Sequence, residues 1–203
     1  MRHGPAERWG AVAQVAHWTI FVLIIVMAWL GLTMVDLPNT PYKVERYALH
    51  KSLGLAILAL VALRLLWRLY AGAPDPLPAP RWQRWLAHGT HFGLYVLLLA
   101  MPLSGWIANA ASGFPLRWFG LFRVPQPIAA DEGLYDLTRD VHEWLFWLLV
   151  LLALAHVFAA AWHQLFLGDA TMSRMLPRGW LKPATVEPDR ATARASGQPE
   201  DSR

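Results

Sequence analysis

Four long stretches that are almost free of charge constrain this chain more than any other feature of its sequence. They run from Val12 to Val35, Leu49 to Leu69, Leu86 to Ala108 and Val141 to Leu167. Each is close to the length of about 20 residues that an α-helix needs to cross the ~30 Å hydrocarbon core of a bilayer. A surface helix of a soluble protein carries a polar face, whereas these stretches are apolar nearly all round. The sequence therefore predicts an all-α, integral membrane four-helix transmembrane bundle.

The composition excludes several other classes of protein. Of the 203 residues, 56% are hydrophobic and 16% are charged, which suits a small bundle of membrane helices. The chain has no cysteine, which excludes disulfides, thiolate metal sites and covalent attachment of c-type haem. The first apolar stretch is too long for a signal peptide and has no small-residue cleavage site before Asp36, so we expect it to remain as a helix.

The positive charges predict how the bundle is oriented. With the N-terminus in the cytoplasm, 12 of the 18 Lys and Arg residues lie on the inner side and 6 on the outer side. This bias follows the positive-inside rule and predicts a multi-pass membrane protein with both termini cytoplasmic. It also accounts for the formal net charge of +4 without a nucleic-acid partner.

The connections divide the chain into a bundle and a tail. We predict one transmembrane domain over residues 1–182 and a polar, disordered cytoplasmic tail over residues 183–203. The longest connection, about Asn109 to Asp140, lies on the outer side, and connections of this length often have a function of their own. It contains an acidic cluster formed by Asp131, Glu132, Asp136 and Asp140.

Histidines are the residues of these stretches that carry chemistry. Seven of the eight lie within or at the ends of the predicted helices, where a polar side chain is costly unless it has a partner or a function. On the fourth helix, His142 and His156 are 14 residues apart. This spacing is about 21 Å along the axis and about 40° short of four full turns, so both imidazoles point to the same side. His163 lies seven residues further on, on the same face and close to the inner boundary.

Each of these two imidazoles has a partner at matching height on another helix. His17, near the start of the first helix, lies at the inner level with His156. His50, at the start of the second helix, lies at the outer level with His142. Because imidazole is a natural axial ligand of haem iron, the pattern predicts two bis-histidine haem b sites. An iron with both axial positions filled has no open site for a substrate, and its natural role is one-electron transfer.

Other interpretations of the histidines stand beside this one. A lone membrane histidine is more often a packing residue or a member of a proton relay, but two height-matched pairs favour haem. A zinc or copper site gathers its ligands at one level, whereas these four histidines divide between two levels. A carboxylate proton relay is disfavoured because the apolar interiors hold no Asp or Glu, apart from Glu143 at a helix end.

Residues around the inner level have two interpretations each. Three histidines near the inner haem either contact a quinone, or bind haem propionates and cap helices at the membrane interface. They are His88 and His91, at the start of the third helix, and His163. Arg64 and Arg68, four residues apart on the second helix, either pair with haem propionates or anchor that helix in the inner leaflet.

The outer level and the helix glycines leave similar alternatives open. Four basic residues on the outer side either focus a small anion toward the outer haem or are solvated loop charges: Arg46, Lys51, Arg117 and Arg123. Four glycines either allow a helix or a porphyrin to approach closely or reflect the general frequency of glycine in membrane helices: Gly31, Gly54, Gly93 and Gly105.

Several short motifs, as a set, resemble the bacterial cytochrome b561 family. They are His17-Trp18, His50-Lys-Ser-Leu-Gly54, Arg64-Leu-Leu-Trp-Arg68, Ala87-His-Gly-Thr-His91, Leu99-Ala-Met-Pro-Leu-Ser-Gly105, Val141-His-Glu143, and the run His156 to His163 followed by Asp169, Arg174, Met175 and Pro177. The resemblance covers about residues 9–178. It implies a four-helix di-haem b cytochrome of the bacterial inner membrane, with axial ligands at His17, His50, His142 and His156.

The resemblance also implies a reaction. The family includes a superoxide oxidase, which takes electrons from superoxide on the periplasmic side and reduces ubiquinone near the inner haem. We therefore expect a superoxide:ubiquinone oxidoreductase with two non-covalent haem b groups, surrounded by membrane lipid. The alternative is a b subunit that links a periplasmic dehydrogenase, hydrogenase or c-type cytochrome to the quinone pool. A third hypothesis is a non-redox membrane protein whose histidines pack or relay protons.

Overall fold

The computed structural model describes residues 8–126, 128–177 and 179–181. Its four long helices are α1 (Ala11–Met34), α2 (Pro41–Ala71), α3 (Arg81–Ala111) and α4 (Glu132–Trp162). A π-helical turn (His163–Leu167) continues α4, and a single 3-10 turn (Ser173–Met175) follows it. All four helices are long and apolar enough to span a membrane, which confirms the predicted all-α four-helix bundle. The tail predicted to be disordered, residues 183–203, lies outside the described residues.

Two helices begin well before the apolar stretches that predicted them. α2 begins eight residues earlier than expected, at Pro41, and α4 begins nine residues earlier, at Glu132. Both helices carry ordinary start signals. The first turn of α2 contains Pro41, a residue that the first turn of a helix tolerates. At the start of α4 the carboxylate of Asp131 accepts a hydrogen bond from the Leu134 N–H at 2.7 Å. Most of the acidic cluster predicted in the outer loop therefore belongs to the polar first turns of α4.

Consecutive helices run antiparallel and pack side by side in chain order. We refer to the end of the bundle where α1 and α3 begin as the proximal end, and to the end where α2 and α4 begin as the distal end. A buried apolar cluster formed by Ile20, Ile57 and Val61 joins α1 to α2, and side chains of α3 pack against it. α4 packs closely along α3, but within the described residues it does not pack closely along α1 or α2.

A glycine explains the close approach of α4 to α3. A Cβ atom at Gly93 would lie 2.9 Å from Cδ2 of Leu152, so a side chain at this position would force Leu152 or the whole of α4 to move. The glycine at Gly54 makes a looser contact, since a Cβ there would lie 3.6 Å from Cε of Met27 on α1. Of these two glycines, Gly93 makes the closer contact, so the predicted close approach of helices at glycine is clearest between α3 and α4.

A small hairpin covers part of the distal end. Strands β1 (Arg117–Trp118) and β2 (Phe122–Arg123) pair antiparallel within the long connection, a feature that the sequence analysis did not predict. Ser52 of α2 holds the hairpin, because its hydroxyl accepts a hydrogen bond from the Phe119 N–H at 2.9 Å and donates to the Arg117 carbonyl at 3.4 Å. The hairpin is thus attached to α2 two residues from His50.

The chain that follows α4 closes the proximal end. The guanidinium of Arg8 donates to the carbonyls of Ser173, at 2.6 Å, and Leu176. The indole of Trp18 donates to the carbonyl of Met175 at 2.8 Å. Because Trp18 follows His17 directly, these contacts attach the first turns of α1 to the segment beyond α4.

Candidate functional site

The structure brings four histidines together in two pairs, one toward each end of the bundle. His17 of α1 and His156 of α4 meet at the proximal end, with ring centres 6.3 Å apart. His50 of α2 and His142 of α4 meet at the distal end, also with ring centres 6.3 Å apart. The rings are nearly perpendicular in both pairs, at 78° and 74°. Two pairs from different helices therefore share one geometry.

This separation fits a metal ion held between two imidazoles. First-row metals bond an imidazole nitrogen at about 2.0–2.1 Å, and that nitrogen lies about 1.1 Å from the centre of its ring. Two imidazoles on opposite sides of one iron therefore have ring centres about 6.2–6.4 Å apart. The observed 6.3 Å agrees with this value at both ends. Both pairs also lie where α4 is not closely packed against its partner helix, α1 or α2.

A serine on α3 fixes the position of the proton on His142. The Ser104 hydroxyl lies 2.8 Å from the Met101 carbonyl and 2.9 Å from Nδ1 of His142. Because the hydroxyl donates its one proton to the carbonyl, it accepts the hydrogen bond from Nδ1–H. The lone pair of the ring is then on Nε2, and this nitrogen is free to bind iron. The sequence analysis quoted Ser104 within a motif but did not predict this contact.

Each distal histidine lies against a glycine of the preceding helix. A Cβ atom at Gly31 would be 3.4 Å from Cε1 of His50, and one at Gly105 would be 3.0 Å from Cε1 of His142. Nδ1 of His50 is buried and has no hydrogen-bond partner among the described residues. Because an unpaired buried nitrogen is costly and rare, His50 is better explained by a bound group than by packing.

A third imidazole lies at the proximal level. The ring centre of His91 on α3 is 5.2 Å from that of His156, which is too close for a metal ion to lie between them. A ring nitrogen of His91 also forms a hydrogen bond with the Ala87 carbonyl. Among the described residues, no group of three or more His, Cys, Asp or Glu side chains has the arrangement of a metal site. The three proximal imidazoles therefore do not form a zinc- or copper-type cluster.

The two remaining histidine candidates differ in their surroundings. His163 begins the π-helical turn, and its Nδ1 lies 2.5 Å from Oδ2 of Asp169. Burial alone would raise the pKa of Asp169, but hydrogen bonds from Thr171 and His163 outweigh burial and hold that pKa below its usual range. His88, in contrast, is exposed and has no hydrogen bond or ring contact within the described part of the chain.

The basic residues singled out from the sequence divide between the two ends. At the proximal end, Arg64 and Arg68 both turn toward α3 and reach the hydroxyl of Tyr95, a residue that the sequence analysis missed. At the distal end, Arg117 and Arg123 lie opposite each other in the register of the hairpin, and both are exposed. Nothing in the spacing of the sequence indicated the contact with Tyr95, because it joins two different helices.

The distal acidic residues neutralise a different cation. Arg139 of α4 forms ion pairs with Asp136 at 3.4 Å and with Asp140 at 3.0 Å. Within the described residues, neither arginine of the hairpin has a carboxylate partner, and the same is true of Lys51 on α2. Arg117, Arg123 and Lys51 are therefore distal cations that no carboxylate pairs with directly among the described residues.

Substituting Gly105 tests whether the contact with His142 matters for the distal site. In Gly105→Ala the new Cβ would lie 3.0 Å from Cε1 and 3.3 Å from Nδ1 of the His142 ring, so the ring must shift by a few tenths of an ångström. We expect the purified variant to contain less haem per chain than the wild type, measured by absorbance after extraction. Gly54→Ala is the matched control, since its Cβ makes an ordinary 3.6 Å contact with Met27. Equal haem content in the two variants would show that this contact is unimportant.

Comparison with known proteins gives consistent matches. The family model described as prokaryotic cytochrome b561 matches residues 8–178. "Cytochrome b561 homolog 2" of Escherichia coli (strain K12) is 35% identical over 172 residues, which cover 84% of this chain and 92% of that protein. "Probable superoxide oxidase CybB" of Yersinia pestis is 30% identical over 163 residues, which cover 80% of this chain and 92% of that protein.

The matched region contains all four helices and both histidine pairs. The family resemblance of the short motifs is thereby confirmed. The chain belongs to the prokaryotic cytochrome b561 family, and it is a multi-pass bacterial membrane protein that binds haem b and transfers electrons.

Proposed function

We propose that this protein is a superoxide:ubiquinone oxidoreductase of the bacterial inner membrane. In this proposal His17 with His156 and His50 with His142 are the axial ligands of two haem b groups. The observation that carries it is the common 6.3 Å separation within two histidine pairs. Two haems held at these levels, about 21 Å apart along α4, would supply one-electron transfer from one end of the bundle to the other.

The ligand arrangement determines where the substrates react. With two imidazoles at each site, no coordination position is left for superoxide or quinone. Both substrates therefore exchange electrons at the ends of the bundle, without bonding to a metal. The orientation follows from the positive-inside rule, because the end predicted to be cytoplasmic carries 12 of the 18 Lys and Arg residues. We accordingly place the proximal end in the cytoplasm and the distal end in the periplasm.

The distal end suits an anionic electron donor. Arg117 and Arg123 are exposed and have no carboxylate partner within the described residues, and Lys51 lies directly beside the ligand His50. Cations that are not paired with carboxylates can attract a small anion and increase its rate of encounter. Superoxide is an anion that gives up a single electron, and a relative named as a probable superoxide oxidase supports this choice of donor.

The overall reaction balances in electrons and protons. Two superoxide anions give up one electron each and leave as two molecules of oxygen. One ubiquinone takes up the two electrons together with two protons and leaves as ubiquinol. Because the protons come from the cytoplasm, the proximal end needs a group that can deliver them.

His163 and Asp169 suit the delivery of these protons. Nδ1 of His163 is engaged by the carboxylate of Asp169, which leaves Nε2 as the free nitrogen of the ring. The side chains of both residues are partly exposed, at 26% and 31%, so they can exchange protons with water. We propose His163 as the principal quinone contact and His91, which lies against His156, as a second one. His88 lies apart from these contacts, which makes it a useful comparison.

Haem content tests the assignment of the ligands. We expect a reduced-minus-oxidised spectrum of the wild type to show two b haems per chain. His142→Ala and His156→Ala should each reduce the content to about one, because each removes an axial ligand from a single site. His88→Ala should retain both haems. Retention of both haems in each ligand variant would overturn the pairing.

Superoxide kinetics test the reaction at the distal end. We expect purified protein with ubiquinone-1 to accelerate the loss of superoxide and to form one ubiquinol for every two superoxide anions consumed. The double variant Arg117→Gln/Arg123→Gln should lower this rate and weaken its dependence on ionic strength, because it removes the positive charge that attracts superoxide. Arg139→Gln is the control, since Asp136 and Asp140 already compensate that arginine. No acceleration by the wild type would exclude this activity and favour a b subunit that serves another electron donor.

Reoxidation by quinone tests the proximal end. Protein reduced with dithionite is mixed with ubiquinone-1, and the decay of its reduced haem absorbance is followed by stopped flow. Asp169→Asn and His163→Gln should slow this decay by about 10–100-fold, the range for loss of a group that orients or supports an imidazole. His88→Gln should leave the rate unchanged. The assignment fails if His88→Gln slows the reaction and the other two variants do not.

A further inference from the structure

Two arginines of α2 lie at the proximal end without a carboxylate partner. Arg64 and Arg68 are one helical turn apart, and both are partly buried. Within the described residues neither forms an ion pair. Their guanidiniums converge on one neutral group, the hydroxyl of Tyr95 on α3, with Arg64 Nε at 3.3 Å and Arg68 Nη1 at 3.5 Å. Two neighbouring positive charges thus share a single uncharged acceptor.

This arrangement leaves most of the hydrogen-bonding capacity of the arginines unused. Each guanidinium carries five N–H donors and remains charged at all physiological pH values. Tyr95 accepts one hydrogen bond from each guanidinium, and the other contacts are with aromatic faces. Arg68 lies 5.6 Å from the ring centres of both Trp9 and Tyr95, and Arg64 lies 6.0 Å from the Tyr95 ring. The donors are therefore held in a position that suits a planar anion such as a carboxylate.

The cluster lies beside the proximal histidine pair. Tyr95 follows His91 by one helical turn on α3 and packs against the buried cluster that joins α1 to α2. The ring centre of His91 in turn lies 5.2 Å from that of His156. At the distal end the basic residue next to a histidine of the pair is Lys51, which adjoins His50. The two partly buried arginines and Tyr95 therefore form a cluster on the proximal side of the bundle.

We infer that Arg64, Arg68 and Tyr95 form a binding site for the propionate carboxylates of the proximal haem, and that this site makes the proximal haem the stronger oxidant of the two. The inference rests on the two-haem function proposed above. Carboxylates are planar anions that match the fork of a guanidinium, so two arginines can hold two propionates. The sequence left open whether these arginines anchor α2 in the lipid. Their direction toward Tyr95 and the protein interior favours the propionates.

The effect on electron flow follows from charge. Two guanidiniums neutralise two propionates and so remove negative charge from the surroundings of the iron, which favours its reduced form. In the proposed two-haem protein this difference would direct an electron that enters at the distal pair toward the proximal pair. Removing one guanidinium leaves a propionate uncompensated and makes the proximal haem harder to reduce.

Redox titration of arginine variants tests the inference. We expect Arg64→Gln to lower the midpoint potential of one haem enough to change its ferrous-to-ferric ratio about tenfold at a fixed potential, or about 59 mV for one electron. Tyr95→Phe should shift the same haem in the same direction by a smaller amount. Arg81→Gln is the matched control, because Arg81 is an exposed arginine at the proximal start of α3. It should leave both potentials unchanged.

Single-haem backgrounds identify the affected site. The variant His142→Ala keeps the proximal haem, and adding Arg64→Gln should lower the midpoint potential of that haem. The variant His156→Ala keeps the distal haem, and adding Arg64→Gln should leave its midpoint potential unchanged. If Arg64→Gln instead releases haem, loss of the proximal haem alone, with both retained in Arg81→Gln, supports the site. A shift of the distal haem, or potentials in Arg64→Gln that equal those in Arg81→Gln, would overturn it.

A change of lipid separates propionate from lipid phosphate. The titration is repeated in phosphatidylcholine vesicles and in vesicles that contain phosphatidylglycerol. The same shift in both supports binding of propionate, whereas a shift confined to the anionic vesicles assigns the arginines to lipid and overturns the inference. A wild type with fewer than two haems would refute the proposed function itself, a result distinct from two haems with unshifted potentials.

Discussion

A polar ring inside a bilayer needs a partner, and in this bundle that requirement determines how α4 meets the other helices. α4 supplies one imidazole to each histidine pair, and each pair holds its ring centres 6.3 Å apart. Along α3, in contrast, Gly93 lets Leu152 pack against the helix backbone. The bundle is therefore asymmetric: α1, α2 and α3 share an apolar cluster, and α4 joins them through α3 on one side and through histidines on the other.

The two ends of the bundle are covered by different segments and different contacts. A short hairpin held by Ser52 covers part of the distal end, where positive charge without carboxylate partners lies close to His50. Hydrogen bonds from Arg8 and Trp18 to the segment after α4 close the proximal end. A histidine and a carboxylate lie next to that segment, at a point where the helix changes to a π-turn. The distal end thus presents exposed arginines, and the proximal end presents a histidine paired with a carboxylate.

Much of the fold and of the pairing of the histidines could be predicted because it is encoded along single helices. Apolar length predicts the four helices, and the 14-residue spacing of His142 and His156 determines both levels. The helix starts were misplaced because their first turns lie outside the apolar core and are polar, so hydropathy does not register them. The hairpin was missed because its strands have only two residues each. Strands this short carry no periodic pattern.

The missed residues of the site share a different cause. Ser104 and Tyr95 act on side chains of other helices, His142 in one case and Arg64 with Arg68 in the other. Spacing along a sequence predicts which residues share a face of one helix, but not which residue of a neighbouring helix lies opposite. Asp169 was missed as a partner of His163 for a related reason, since the π-turn and the following loop bring the two together.

The position of α4 in the chain has a consequence for biogenesis. The partners of the two pairs, His17 with His156 and His50 with His142, are 139 and 92 residues apart in sequence. Both pairs remain incomplete until the last helix has left the ribosome and entered the membrane. The first three helices can assemble earlier around their shared apolar cluster. Insertion of α4 then completes both pairs in a single step, so a chain truncated before α4 would contain neither pair.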